Sequence, residues 1–93
     1  MTVTLKMLQH KVEYINEVFG HPKEPYTKND NGVRANVGNY HLSQAYGGVA
    51  LVQIVNESGG VTMPMGYGHV PKRELYNQLL GFTAGIQAMK SET

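Results

Sequence analysis

The chain has 93 residues, and among them there is no cysteine, no tryptophan and only one aspartate. Without cysteine there is no disulfide scaffold, no thiolate zinc site and no cysteine nucleophile. There is also no run of about 18 apolar residues, the length that a membrane-spanning helix needs. Charged side chains interrupt the first twenty positions, where a signal peptide needs an uncharged apolar stretch. We therefore expect a cytoplasmic protein that does not contact a membrane.

The charge of the chain is nearly balanced, with eight basic and seven acidic side chains and a net charge of +1. General nucleic-acid binders carry a strongly basic surface, so we do not expect that function here. Groups suited to catalysis are also sparse, because Asp30 falls in a predicted loop and Ser43 in a predicted strand without a nucleophile elbow. We expect neither an enzyme nor a bound metal or cofactor, since the four histidines lack metal-ligand spacing: His10, His21, His41 and His69.

The length fits one domain over residues 1–93, and a domain of this size has a small core. Eleven glycines add to the entropy that folding must overcome, and no disulfide offsets it. Self-association is a common remedy in small proteins, so we expect a homo-oligomer.

Two segments show the three- and four-residue spacing of apolar side chains that is typical of amphipathic helices, residues 4–19 and residues 71–89. Gly20 is expected to end the first helix, and Pro71 fits the first position of the second. The apolar stripes consist of Leu5, Leu8, Val12, Ile15 and Phe19 in the first helix and of Leu75, Leu79, Phe82, Ile86 and Met89 in the second.

The segment between the helices is expected to form a small antiparallel sheet. Residues 21–32 are predicted to be a surface loop that closes in the Asn-Asp-Asn-Gly turn, and residues 33–37 alternate as a short strand does. Pro64 limits the segment around it to an edge strand. The predicted fold class is α+β, with an N-terminal helix, a small sheet containing a Gly-Gly hairpin, and a C-terminal helix.

Gly47 and Gly48 stand between two alternating runs and predict a hairpin with a two-residue loop, because both positions tolerate positive φ. That loop fixes the expected pairing of the two strands. The expected partners on one face are Tyr40 with Val55, Leu42 with Gln53, Gln44 with Leu51 and Tyr46 with Val49.

The two faces of this hairpin differ in character. The face with Ala45 and Ala50 is small enough near the turn for a helix to pack against it. The other face mixes the aromatic rings of Tyr40 and Tyr46 with the amide of Gln44, as a ligand or subunit contact does. The alternative is that the tyrosines only cover the core.

Lys72 and Arg73 lie in the first turn of the second predicted helix, where the helix dipole disfavours positive charge by roughly 0.3–1 kcal/mol. A loop with two glycines, residues 66–69, leads directly to them. Free helix N–H groups beside two basic side chains are suited to holding a phosphate, although the pattern is neither a P-loop nor a dinucleotide fingerprint. The alternatives are a solvated basic turn and compensation by Glu74.

Gly81 and Gly85 occur inside the same predicted helix, where each glycine costs roughly 1 kcal/mol relative to alanine. Close approach of another backbone is the usual reason for tolerating that cost. With Ala84 and Ala88 they form a face of small residues, which favours contact with a second copy over packing within the chain.

The segments YHLSQAYGGVALVQIVNESGGV and GHVPKRELYNQLLGFTAGIQA resemble small accessory proteins of tailed bacteriophages. In those proteins a Tyr-Gly-Gly hairpin, a Gly-Gly-Val segment and a Lys-Arg-Glu-Leu-Tyr helix start recur in the same order, and the similarity covers about residues 36–89. The resemblance implies a phage context inside a bacterial host cell. Phage proteins of this size often counter host defence, either by blocking a defence protein or by sequestering nucleotide signals such as those of CBASS and Thoeris.

Three hypotheses follow: an oligomeric sponge that sequesters a nucleotide signal without hydrolysis, an inhibitor that binds a host defence protein, and a small hydrolase. The sponge needs aromatic surfaces for bases and cationic groups for phosphate. Gln44 ranks above His41, because the two lie on opposite faces of one strand. The expected ligand-binding residues are Arg34, Tyr40, Gln44, Tyr46, Tyr67, His69, Lys72 and Arg73.

Overall fold

A computed structural model of the protein describes residues 2–66 and 68–91. The predicted α+β fold is confirmed, with a helix at each end and two small antiparallel sheets between them. Within the described residues no helix is long and apolar enough to cross a membrane. The elements are α1 (Leu5–Phe19), β1 (Tyr26–Asn29), β2 (Gly32–Ala35), β3 (Tyr40–Ala45), β4 (Gly48–Ile54), β5 (Val61–Thr62) and α2 (Lys72–Ser91).

Helix α1 ends at the predicted residue and begins one residue later than predicted, because Thr4 is its N-cap. The hydroxyl of Thr4 accepts a hydrogen bond from the Met7 amide at 3.2 Å and caps the N-terminus. Gly20 ends the helix at φ 68° in the left-handed region, which is the predicted stop. The middle of the apolar stripe of α1, Leu8, Val12 and Ile15, is buried together with one polar residue, Asn16, whereas Phe19 at its end is exposed.

Helix α2 begins one residue later than predicted. The carbonyl of Pro71 accepts a hydrogen bond from the Leu75 amide at 3.1 Å, so Pro71 precedes the first helical residue. The hydroxyl of Thr83, which is buried, donates to the Leu79 carbonyl at 2.9 Å. The predicted stripe of α2 packs inward through Leu75, Leu79 and Ile86.

The hairpin between β3 and β4 is present, but its predicted loop is wrong by one residue. Ala45 pairs with Gly48, so the two-residue loop is Tyr46–Gly47. Tyr40 consequently pairs with Gln53 and not with Val55, a shift of two residues that leaves each side chain on its predicted face. Gly48 is the first residue of β4, and glycine is needed there because a Cβ atom would meet the carbonyl oxygen of Val70 at 2.9 Å.

The helices pack against the face of the hairpin that was expected to carry the ligand. The cluster that joins α1, α2 and the sheet includes Tyr40, Val49 and Leu51, so the expectation of a helix over Ala45 and Ala50 is wrong. The face with the larger apolar side chains offers more area to bury, and that term outweighs close approach over small residues.

The interpretation of residues 21–32 as a loop is wrong in part. Tyr26–Asn29 forms β1 and pairs with β2, so the strand around Arg34 belongs to a separate two-stranded sheet and not beside the β3–β4 hairpin. Most side chains of this sheet are exposed, which is why β1 lacks an apolar alternation. The predicted turn at its end is confirmed, and the predicted edge strand is confirmed as β5, which ends before Pro64.

The glycines of α2 do not serve packing within the described chain. A Cβ atom built on Gly81 or Gly85 would have no described atom within 4 Å outside its own helical turns. The alternative in which these glycines allow close packing inside the molecule is therefore wrong. Their face, together with Ala84 and Ala88, is exposed.

Candidate ligand-binding site

The tip of the β3–β4 hairpin carries the most exposed of the large hydrophobic side chains among the described residues. Tyr46 is 99% exposed, and its φ of 54° makes it the one described residue other than glycine with a positive φ. With Gly47 at φ 74° it forms the type I′ turn that matches the twist of paired strands. A non-glycine residue in this conformation costs roughly 1–2 kcal/mol. The turn therefore holds an aromatic ring in solvent at some cost in stability.

His69 lies beside this ring. The ring centroids of Tyr46 and His69 are 6.0 Å apart with an interplanar angle of 70°, an edge-to-face arrangement. The Nε2 atom of His69 is hydrogen bonded to the hydroxyl of Ser43 at 3.0 Å. Ser43 is on β3, so the imidazole is fixed to the sheet on the face opposite the helices.

The segment after His69 is tied to the start of β4. Val70 and Val49 exchange backbone hydrogen bonds of 2.8 and 2.9 Å. Gly48 permits this approach because any side chain there would collide with Val70. Helix α2 begins directly afterwards, so Lys72 and Arg73 are held close in sequence to His69 and the hairpin tip. Both basic residues are exposed.

The structure places Tyr46 and His69 in contact, and Lys72 and Arg73 begin α2 three and four residues after His69. They come from the β3–β4 turn and from the segment that leads into α2. Tyr67 lies outside the described residues. We call this group the turn site, and it consists of Tyr46, His69, Lys72 and Arg73.

Tyr40 does not belong to the turn site. It is only 9% exposed and packs in the core, where its ring centroid lies 5.6 Å from that of His21 and 6.3 Å from that of Phe19. Burial raises the pKa of its hydroxyl above the ordinary value of 10.0. This burial favours the alternative that Tyr40 covers the core over the prediction that it contacts a ligand.

Gln44 and Arg34 are also separate from the turn site. Gln44 is exposed on the helix side of the sheet and lines a cavity with residues of α1, including Lys6 and His10. Arg34 lies on β2 in the other sheet, and its guanidinium is 4.0 Å from the carboxylate of Glu57. Both of these side chains are exposed, so this ion pair adds little to stability.

A second pair of polar residues lies at the start of β3: Asn39 directly precedes the strand, and His41 is on the same face as Ser43. The amide nitrogen of Asn39 donates to the Pro22 carbonyl at 2.8 Å, so its oxygen is left to accept from the Nδ1–H of His41 at 3.0 Å. Burial lowers the pKa of His41 below its ordinary value of 6.5. Near neutral pH His41 is therefore an uncharged imidazole whose Nε2 atom carries the lone pair.

The sequence interpretation did not identify two buried asparagines that organise β3. The side chain of Asn16 accepts a hydrogen bond from the Tyr40 amide at 2.8 Å and donates one to the Tyr40 carbonyl at 2.9 Å. The second asparagine, Asn39, is fully buried. A signal for Asn16 exists, because it lies four residues after Val12 and extends the apolar stripe of α1. Within the described residues no group of three His, Asp or Glu side chains is arranged to hold a metal ion.

The comparisons with known proteins give no relatives: no protein-family model, curated protein or solved structure matches the chain.

Proposed function

We propose that this protein binds a nucleotide at the turn site and holds it without turnover. The observation that carries the proposal is the exposed ring of Tyr46 at positive φ beside His69. Stacking of a base on a tyrosine is worth roughly 1–3 kcal/mol, which is comparable with the strain that the turn stores. A turn that gives up stability to present an aromatic ring is suited to ligand binding.

The cationic part of the site supports a phosphate-bearing ligand. Lys72 and Arg73 lie in the first turn of α2, where their charge opposes the helix dipole. A bound phosphate accepts hydrogen bonds from the helix N–H groups, and its negative charge offsets the unfavourable interaction of the two basic side chains with the helix dipole. Arg73 supplies a planar donor group that grips phosphate at two oxygens, and Lys72 supplies a point charge.

The proposal includes a second copy of the chain, which would contact the exposed small-residue face of α2. No charged residue occurs between Leu75 and Met89, and the exposed face around Gly81 and Gly85 allows two helices to approach closely. Sedimentation of the parent protein is expected to show an oligomer, and Gly81→Leu is expected to dissociate it. A parent protein that stays monomeric at high concentration contradicts this part of the proposal.

The proposed setting is the cytoplasm of a bacterial host during phage infection. The resemblance of residues 36–89 to phage accessory proteins supports that setting. In it, the ligand is a nucleotide immune signal that the protein sequesters, so the host defence system is not activated. Sequestration requires binding that is tight relative to the signal concentration and a ligand that is released intact.

The experiment is calorimetric titration with a panel of linear and cyclic nucleotides, followed by recovery of the ligand after heat denaturation. Lys72→Ala/Arg73→Ala is expected to weaken binding and to reduce its salt dependence, because exposed charges are screened by salt. Lys23→Ala/Lys28→Ala removes the same charge away from the turn site and serves as the control. Equal affinity in both double variants contradicts the proposal, and a chemically altered ligand favours a hydrolase that uses the Ser43–His69 pair.

A second candidate function is inhibition of a host defence protein by direct contact. A cavity of about 200 Å³ between the C-terminal ends of the helices is lined almost entirely by apolar side chains, including Phe19 and Met89. Met89 is 72% exposed, and exposed apolar patches of this kind often contact proteins. Absence of nucleotide binding in the titration favours this candidate.

A further inference from the structure

Strand β3 forms an edge of the three-stranded sheet, whose order is β3-β4-β5. The amide of Ile54 donates to the Asn39 carbonyl at 2.9 Å, which places Asn39 and alternate residues after it in hydrogen-bonded pairs with β4. The residues between them direct their backbone N–H and C=O groups away from β4. Tyr40, Leu42 and Gln44 therefore face the open edge.

The first of these three residues is already paired by a side chain. Asn16 of α1 binds both the N–H and the C=O of Tyr40, at 2.8 and 2.9 Å, as a neighbouring strand does. Among the hydrogen bonds of the described residues, none involves the outward backbone groups of Leu42 or Gln44. The edge of β3 is thus closed at one end by α1 and open beyond it.

A groove runs between α1 and this open edge. It consists of two cavities of about 490 and 550 Å³ that share Gln9, Glu13 and Leu42, and we call it the β3 groove. From Gln9 to Glu17 helix α1 extends about 12 Å along it. An extended peptide spans that distance with about four residues, because a strand rises about 3.3 Å per residue.

The two ends of the β3 groove differ in charge. Glu13, Glu17 and Glu24 line the cavity near Tyr40, where Lys23 is the one lysine or arginine. Lys6 and His10 line the cavity near Gln44. The end near Tyr40 therefore favours a cationic side chain.

We propose that the β3 groove binds an extended peptide segment of a partner protein, which adds to the sheet as a strand and places a lysine or arginine at the acidic end. The outward backbone groups of Leu42 and Gln44 supply main-chain hydrogen bonds, and the carboxylates supply the preference for a cationic side chain. A lone peptide fits between α1 and β3. The edge of a second copy does not, because that edge carries its own α1, held against it by Asn16. The inference is independent of nucleotide capture, since the turn site shares no residue with the groove.

The test uses short synthetic peptides of alternating valine and threonine in which one position carries lysine, arginine, alanine or glutamate. Binding is followed by fluorescence anisotropy with the full chain. The lysine and arginine peptides are expected to bind best, and methylation of alternate peptide nitrogens is expected to weaken them about tenfold, because it removes main-chain donors. Exchange of the Leu42 and Gln44 amide hydrogens is expected to slow in the complex, while that of Val61 on the opposite edge stays unchanged.

The matched variants are Gln44→Pro and Gln44→Ala. Proline is tolerated on an edge strand where the N–H faces outward, so Gln44→Pro keeps the pairing with β4 and removes the donor. Gln44→Ala also removes the side chain but keeps the donor, so it is expected to bind peptide more tightly than Gln44→Pro. Glu13→Lys tests the charge preference without changing a residue of β3 and is expected to reduce the preference for the lysine and arginine peptides.

Three results overturn the inference. The first is that no peptide of the panel binds. The second is that Gln44→Pro and Gln44→Ala bind equally, with unchanged exchange at Leu42 and Gln44. The third is that exchange at these amides slows with protein concentration in the absence of peptide, which identifies a second copy as the occupant.

Discussion

The two hairpins of this protein have two-residue turns of opposite character. Asp30 and Asn31 join β1 to β2, and the Asn31 amide is held by the side-chain oxygen of Asn29 at 2.9 Å. Asparagine, aspartate and glycine are residues that form such turns without strain. The turn between β3 and β4 uses Tyr46 in a left-handed conformation that suits asparagine far better.

The environments of the hairpins are opposite as well. The β1–β2 sheet is largely exposed and has a turn whose sequence favours stability. The β3–β4 hairpin is built into the core by Asn16 and by the Val49–Val70 bridge, and its turn sequence opposes stability. The strained turn is tolerated because buried contacts hold it. Strain at the better-supported hairpin is the observation on which the proposed function rests.

The largest predicted effect comes from removing the buried support of β3. Asn16→Leu leaves the N–H and C=O of Tyr40 buried without partners, and we expect a loss of about 2–4 kcal/mol in the free energy of unfolding. Urea denaturation measures it. Asn29→Ala in the exposed hairpin removes one turn hydrogen bond and is expected to cost less than about 1 kcal/mol. Similar losses in the two variants would remove the distinction between the hairpins.

The next effect concerns the segment that positions His69. Gly48→Ala places a Cβ atom 2.9 Å from the Val70 carbonyl, and we expect a loss of about 1–3 kcal/mol from the forced backbone shift. Gly81→Ala is the matched control, because its Cβ enters open space on a helix and is expected to stabilise the monomer by up to about 1 kcal/mol. Thermal denaturation of both variants distinguishes close approach from a general effect of replacing glycine.

A smaller effect is expected from pH. Because burial lowers the pKa of folded His41, the unfolded chain binds this proton first as the pH falls below 6.5. The protein is expected to lose stability from that pH downward to the lowered pKa, and His41→Gln is expected to lose less. His10→Gln, in an exposed part of α1, is the control. Parallel pH profiles for His41→Gln and the parent protein would contradict the assignment.

Most of the fold follows from local patterns in the sequence. The stripes of α1 and α2, the stop at Gly20 and the edge strand before Pro64 were predictable because each rests on neighbouring residues. Strand β1 was not, since its four residues are exposed and carry no apolar alternation. The loop of the β3–β4 hairpin was misplaced because the demand on Gly48 comes from Val70, which is distant in sequence.

The candidate site was predictable only in its chemistry. The basic start of α2 and the tyrosine at the turn stand out locally, and the fold brings them to the same end of the sheet. Tyr40 has the same residue type as Tyr46, but side-chain direction relative to the helices decides which one is buried. Single-sequence patterns specify alternation along a strand and leave open which face the helices cover.

The central claim is that Tyr46 is kept at the turn for binding and not for stability, and Tyr46→Asn tests it most directly. Asn-Gly is the favoured sequence of a type I′ turn, so we expect the free energy of unfolding to rise by about 0.5–1 kcal/mol while nucleotide affinity falls by about tenfold or more. Tyr26→Asn, which removes a half-exposed tyrosine from β1, is expected to leave affinity unchanged. A Tyr46→Asn protein that is less stable and binds nucleotide as the parent does would contradict the account.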